Sequence, residues 1–210
     1  MKQQGYLITL EGIEGVGKST HMEFIQHVLE AKGITPLMTR EPGGTPIAEA
    51  IRHVFASHHD EPMTDETEFL LLFAARAQHV QARIKPSLTS GKWVVCDRYI
   101  DASYAYQGGG RGIPLERIAQ LEAWVCQGCL PDLTLLLDAP VPLALSRIQC
   151  RAAADRVESE KVVFFQRVRD AYLARAAQFS ARFRVIDASG SPESVQMQLH
   201  TVLTEFIENH

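Results

Sequence analysis

Among 210 residues there is a single asparagine, Asn209, next to the C-terminal position. A guanine-reading segment of the Asn-Lys-x-Asp kind is therefore excluded. Cysteine is scarce as well: Cys96, Cys126, Cys129 and Cys150. Cys126 and Cys129 form one C-x-x-C, but a zinc site needs a second ligand pair at suitable spacing, and none is visible. The pair reads as two small residues near a helix end that Gly128 and Pro131 terminate, with a thioredoxin-like redox role as the alternative. The eight histidines suggest no metal centre, since neither His58-His59 nor His79 has partners at ligand spacing. Positive charge is not in excess: 21 Lys and Arg against 25 Asp and Glu leave a net charge of -4, which disfavours a nucleic-acid polymer as partner. No apolar run is long enough to cross a bilayer, and MKQQGYLITLEG lacks the apolar stretch of a secretory signal, so no membrane is expected and the expected location is cytoplasmic. Internal repeats, low-complexity segments and linkers are absent.

What is present describes one α/β domain over residues 1–210. Hydrophobic residues make up 46% and charged residues 22%, ordinary values for a chain that buries a substantial core. Tyr6 to Leu10 is a strand-like run. Met22, Ile25, Val28 and Leu29 recur at helical spacing from Lys18 to Lys32, where Gly33 ends the pattern. A second strand is expected over Ile34–Thr39, with Pro36 making its start irregular, and a helix over Pro46–Ala56. A long helix starts at Asp65 and is kinked or ended by Pro86. Trp93–Cys96 and Leu133–Leu137 read as strands buried on both faces. Helices over Pro114–Gln127, from Val141, and over Ser159–Phe179 lead to a short strand at Phe183–Ile186 and a final helix. Five strands alternating with helices predict a parallel sheet.

The stretch Gly12-Ile13-Glu14-Gly15-Val16-Gly17-Lys18-Ser19, followed by Thr20, matches G-x-x-x-x-G-K-[ST] in full. Its glycines let the backbone curl so that N–H groups point inward at a helix N-terminus, a natural seat for anions. Lys18 is expected to reach the β- and γ-phosphates of a nucleotide, and the Ser19 hydroxyl to ligate Mg²⁺.

Three further segments fall on the same predicted sheet edge, where ligands sit in open parallel sheets. They are Thr39-Arg40-Glu41-Pro42-Gly43-Gly44-Thr45, Cys96-Asp97-Arg98-Tyr99, and Ser103 to Gly112 (SYAYQGGGRG). In the last, glycines would allow close approach to a ligand, while the aromatics and Gln107 stack on and hydrogen-bond to a base. A compact chain with a P-loop, a second pocket and an Arg-rich insert suits a small-molecule kinase. A slow nucleotide-hydrolysing switch is the reading from another class.

Taken in order, EGIEGVGKST, TREPGGT, LLLFAARAQH, CDRYIDASYAYQGGGRG, PDLTLLLD and RAAADR resemble bacterial thymidylate kinases over nearly the whole chain. The resemblance implies a P-loop nucleoside monophosphate kinase-like fold: a five-stranded parallel sheet flanked by helices, with a short arginine-bearing lid at about 147–158. It implies transfer of the γ-phosphoryl group of ATP to dTMP, with Mg²⁺, and a homodimer packed through helices, for which the apolar face from Phe69 to Val80 is a candidate. A relative of the same fold acting on another monophosphate or deoxynucleoside is the neighbouring alternative, because base preference rests on few side chains.

Carried onto this sequence, the resemblance gives Lys18, Arg98, Asp97, Arg147 and Arg151 to catalysis. The ATP site is residues 12–20 with Arg156. The acceptor site is Glu41, Arg52, Phe73, Arg76, Arg98, Ser103, Tyr106 and Gln107, and the metal falls to Ser19 and Asp97. Arg52 and Arg98 would hold the acceptor phosphate, Arg76 would read the thymine edge, and Tyr106 would pack beneath the deoxyribose. Because the P-loop carries Glu14 and Val16 rather than arginine, the chain resembles the version of the family whose arginine lies in the lid. Two positions depart from the pattern. Gln149 replaces a lid arginine, and Leu72 stands where many members stack phenylalanine on the base; either Phe73 takes over that stacking, the reading preferred here, or an aliphatic contact suffices.

Overall fold

The computed structural model of the chain describes residues 5–148, 157 and 160–210. Strand β1 (Leu7–Glu11) is buried along its whole length and runs straight into the glycine-rich turn before α1 (Lys18–Ala31). β2 (Leu37–Arg40) starts just after Pro36, whose missing N–H cannot join a ladder, so the expected strand from Ile34 is shorter than its apolar run. Next come α2 (Pro46–Ala56), capped by the Thr45 hydroxyl, and α3 (Asp65–His79), capped by that of Thr64.

Pro86 neither ends nor sharply breaks the long helix. The α3 spiral widens into a π-helical turn at Val80–Ile84, and α4 (Lys85–Thr89) opens with Pro86 in its first turn. There the missing N–H is harmless, and the wider turn removes the clash a proline ring makes with the preceding turn. The chain continues through β3 (Val94–Asp97), α5 (Ile100–Ser103), a second π-helical stretch at Tyr104–Gly110, and α6 (Leu115–Cys126). β4 (Leu133–Asp138), α7 (Val141–Ile148), α8 (Val162–Gln178), β5 (Phe183–Asp187) and α9 (Pro192–Glu208) complete it.

All strand pairs are parallel, in the order β2-β3-β1-β4-β5. The register aligns Arg40 with Asp97 and Asp97 with Leu10, so the P-loop, the Glu41–Thr45 loop and the Arg98–Tyr99 turn all start from one edge. Side-chain alternation divides the core. Ile8, Leu10 and Val95 pack with α1, α8 and α9, whereas Leu7, Val94 and Cys96 pack with α3 and α6. Each such fully buried aliphatic side chain contributes roughly 1.5–3 kcal/mol.

The glycines of the Tyr104–Gly110 stretch serve this packing rather than a ligand. A Cβ on Gly109 would lie 2.6 Å from the Cβ of Ala171, and one on Gly110 would lie 2.5 Å from the Phe164 ring. Glycine is what lets this stretch lie against α8. Tyr106 and Gln107 of the stretch, with Ser103 just before it, line a cavity instead.

Behind the edge lies a buried charge cluster. Asp101, fully buried, accepts from Arg175 Nε at 2.7 Å and from Arg182 Nη1 and Nη2 at 2.7 and 2.9 Å. Arg182 also donates to Thr134, whose hydroxyl meets that of Thr9. The cluster ties α5, α8, β4 and β1 together, and removing one partner of such a set leaves buried charge uncompensated. Asp101→Ala is expected to cost about 3 kcal/mol and lower Tm by about 10 °C. Urea unfolding checks this, and a loss below about 1 kcal/mol would show that the two arginines find water instead.

Candidate active site

Gly12, Gly15 and Gly17 all adopt positive φ, at 134°, 79° and 93°, which is how the chain turns from β1 into α1. Inside the turn, Lys18 Nζ donates to the carbonyls of Gly12 and Ile13 at 3.0 and 2.9 Å. Burial, aided by the neighbouring Arg98 charge, brings the Lys18 ammonium down to about 8.

Arg98, directly after β3, is one of two non-glycine residues with positive φ among the described residues, at 65°. That conformation is held from the backbone. Arg98 N–H donates to Leu10 O at 3.0 Å, and the next N–H, of Tyr99, donates to Glu11 Oε1 at 2.8 Å. The turn aims the guanidinium at the P-loop, where it donates to Gly12 O (2.9 Å), Glu14 Oε1 (2.7 Å) and the Tyr172 hydroxyl (3.3 Å). The Arg98 guanidinium lies 4.8 Å from the Tyr106 ring centre, and the Tyr106 hydroxyl donates to Glu14 at 2.5 Å.

The far wall is a second network. Arg76, buried on α3, donates to Glu41 Oε2 (2.7 Å), Ser103 Oγ (2.8 Å) and the Tyr99 carbonyl (2.9 Å). Glu41 is also met by His79 Nδ1 at 3.0 Å, and the other His79 nitrogen meets Thr39 Oγ1 at 2.7 Å. His79, read from the sequence only as no metal ligand, thus braces the Glu41–Arg76 pair. Arg52 donates to Pro42 O at 3.0 Å.

Between the walls is a cavity of about 300 Å³. Glu14, Gly15, Gly17, Lys18, Ser19, Glu41, Arg52, Arg76, Asp97, Arg98, Ser103, Tyr106 and Gln107 all line it, so most of the residues selected from sequence converge. Gly12 and Ile13 contribute their carbonyls to Lys18, Val16 is buried in the core, and Thr20 is exposed away from the cavity. Phe73 is a correction: its ring is 3% exposed and packs on Phe69 in the core, while Leu72 lines the cavity. On a helix, adjacent residues project about 100° apart, and residue 72 shares the face of Arg76 four positions on. Arg147, at the end of α7, donates to the carbonyls of Ala188, Ser189 and Gly190 rather than into the cavity. Arg151, Arg156 and Gln149, and with them most of the expected lid, lie outside the described residues.

Other residues of the site were not selected from sequence. Glu68 lines the cavity beside Leu72, and its spacing of four from Leu72 and eight from Arg76 is the signal that finds it. Val157 adds an apolar wall. Glu11 is fully buried behind the P-loop, accepting from Tyr99 N–H and, at 2.7 Å, from the Tyr172 hydroxyl. An acid closing an otherwise apolar strand was its only mark.

Among the described residues, no group of three or more acidic, histidine or cysteine side chains forms a metal cage. The cavity does carry a buried Asp97 Oδ1 with no hydrogen-bond partner, and it shares that cavity with the Ser19 hydroxyl. Two hard oxygens beside a phosphate cradle fit Mg²⁺, which takes few protein ligands and keeps water and phosphate for the rest.

Burial, with Asp101 nearby, raises the Glu11 carboxyl to about 7. A raised acid contributes stability that is full below its unfolded value near 4.5 and is lost as pH rises through about 7. The loss is on the order of 3 kcal/mol. The Tm of the wild type is therefore expected to fall between pH 5 and 8 relative to that of Glu11→Gln; parallel curves over that window would show that Glu11 ionises normally.

The family model for thymidylate kinase matches residues 10–199. The chain is 57% identical over 203 residues to the thymidylate kinase of Chromohalobacter salexigens, covering 96% of each. It is 51% identical over 201 residues to that of Alcanivorax borkumensis, covering 96% of this chain and 97% of the other. Among solved structures, the thymidylate kinase from Ehrlichia chaffeensis superimposes with a TM-score of 0.76 at 32% identity, over 95% of this chain and 99% of that one. The match runs over nearly the whole chain in sequence and in fold, and this chain belongs to the thymidylate kinase family.

Proposed function

We propose that the cavity joins ATP to dTMP, with the γ-phosphoryl group passing to the dTMP phosphate to give dTDP and ADP. The observation that carries this is the placement of cations on both walls of one cavity, Lys18 and Arg98 at the P-loop and Arg52 with Arg76 on the far side. Bringing two polyanions together is the main obstacle of the reaction, and fixed cations are what overcome it. A phosphate monoester with a second pKa of about 6 is already mostly dianionic at neutral pH, so no general base is needed. An acceptor phosphate oxygen forms the new bond to phosphorus as the bond to the bridging oxygen of ADP breaks. Arg98 holds the acceptor phosphate against the P-loop, and Lys18 meets the β- and γ-phosphates. Asp97 and Ser19 would hold Mg²⁺, which supplies charge neutralisation to the phosphates when bound.

The rest of the cavity suits thymidine. Arg76 is a donor-only side chain at the pocket wall, matched to a base carbonyl, and Leu72 supplies the apolar contact. Tyr106, fixed through its hydroxyl to Glu14, offers a ring surface beneath a deoxyribose. The lid arginines Arg147, Arg151 and Arg156 complete the ATP side in this reading. A homodimer is also proposed. Phe69 and Val80 are committed to the protein's own core, but Leu70 on α3 and Trp124 on the neighbouring α6 are 58% and 74% exposed. No helix among the described residues is long and apolar enough to cross a membrane, which accords with a cytoplasmic place of action.

ADP release with dTMP, dUMP, dCMP, dGMP, AMP or no acceptor tests the reading. A strong preference for dTMP is expected, and acceptor-independent release would overturn it in favour of a hydrolysing switch. Lys18 gives a second expectation. It is cationic below about 8 and neutral above, so kcat/KM for ATP should fall as pH rises beyond 8. Lys18→Ala should lose about 10²–10³ in kcat and abolish that limb of the profile.

A further inference from the structure

Gln107 Nε2 donates to Glu68 Oε1 at 2.9 Å, and both side chains are 2% exposed at the cavity wall. Arg111 holds the same carboxylate from the other side, through Nε to Oε1 at 3.2 Å and Nη2 to Oε2 at 3.1 Å. Arg111 is itself fixed by Glu160 at 2.5 Å and by the Phe164 ring beneath its guanidinium.

These contacts settle which way the Gln107 amide points. An amide side chain has a donor end and an acceptor end of nearly the same shape, and either can face a neutral neighbour. A carboxylate only accepts, so the amide nitrogen must face Glu68. The amide oxygen meets no donor among the described residues, and it is left to the cavity.

We propose that Glu68, paired with Arg111, is a positioning residue that sets the pyrimidine specificity of the site by locking the Gln107 amide with its oxygen toward the base. This rests on the thymidylate reading of the cavity. Thymine and uracil carry a hydrogen on N3 beside a carbonyl, the complement of an acceptor at Gln107 beside the donor Arg76. Cytosine reverses both groups, with a bare nitrogen beside an amino group. It leaves the Gln107 oxygen facing a lone pair and Arg76 facing N–H, and unpaired buried polar groups of this kind are what give such sites their selectivity.

The direct test compares kcat/KM for dTMP and 5-methyl-dCMP, which differ only along that edge. Wild type should prefer dTMP by about 10³-fold or more. In Glu68→Gln, donor-only Arg111 claims the new amide oxygen, so the new NH₂ faces Gln107. Gln107 then turns its own oxygen inward and its N–H toward the base. The preference should fall at least about tenfold, while the ratio of dTMP to dUMP stays constant. Glu68→Asp, shorter but still acceptor-only, should raise KM and retain the preference. An unchanged dTMP to 5-methyl-dCMP ratio in Glu68→Gln, with or without a common loss of rate, would overturn the proposal. Should that variant not fold, N3-methyl-dTMP on the wild type decides: a loss of about 10²-fold is expected, and turnover equal to that of dTMP overturns it. Failure of wild type to use dTMP at all would instead refute the thymidylate reading itself.

Discussion

The left-handed turn at Arg98 is the constraint from which most of the site follows. A non-glycine residue at a φ of 65° is costly unless its neighbours hold it. Here they do so with two backbone hydrogen bonds, one to the Leu10 carbonyl and one from Tyr99 N–H to the buried Glu11 carboxylate. The same turn sends the Arg98 side chain to the P-loop and points the Tyr99 carbonyl at Arg76. One backbone kink therefore sets the distance between the two walls of the cavity. Tyr172 adds a brace from α8 by meeting both Arg98 and Glu11 through its hydroxyl.

Helix α8 works as a rack of arginines. Arg167 holds the Gly110 carbonyl, Arg169 grips Asp138 at the end of β4 with two bonds of 2.7 and 2.8 Å, and Arg175 enters the Asp101 cluster. Bidentate and shared pairs of this sort fix direction as well as distance. The helix is pinned to the Tyr104–Gly110 stretch, to the end of β4 and to the buried Asp101 cluster at once. Its glycine-mediated seat against Tyr104–Gly110 removes the remaining freedom.

Much of this architecture was legible in the sequence because its signals are local. The P-loop spacing, the apolar runs of β1, β3 and β4, and the charged pair after β3 each carry their meaning within a few residues. Phe73 was preferred to Leu72 because chemistry favoured an aromatic, whereas helix phase decides which of two neighbours faces the pocket. Glu11, Glu68 and His79 escaped for a related reason. Each acts on another side chain rather than on a ligand, and such partnerships join segments far apart in the chain, such as Glu41 with His79 and Glu11 with Tyr172. The glycines of YQGGGRG were read as room for a ligand, yet Gly109 and Gly110 make room for α8 and Gly108 for α6, since a small residue advertises close approach without saying to what.

The π turn at Val80–Ile84 has a bearing on how this helix can vary. A single wide turn accommodates one residue more than a regular spiral, and each residue advances the helix face by about 100°. Glu68, Leu72 and Arg76 before the turn face the cavity, while Gln81 and Lys85 within and after it reach Gln127 at the end of α6. The turn thus sets the phase between two groups of contacts served by one continuous spiral. Loss of a single residue there would leave every hydrogen-bonding side chain of α3 in the chain yet rotate one set against the other, so segment length at this point is under tighter restraint than the identity of the residues that fill it.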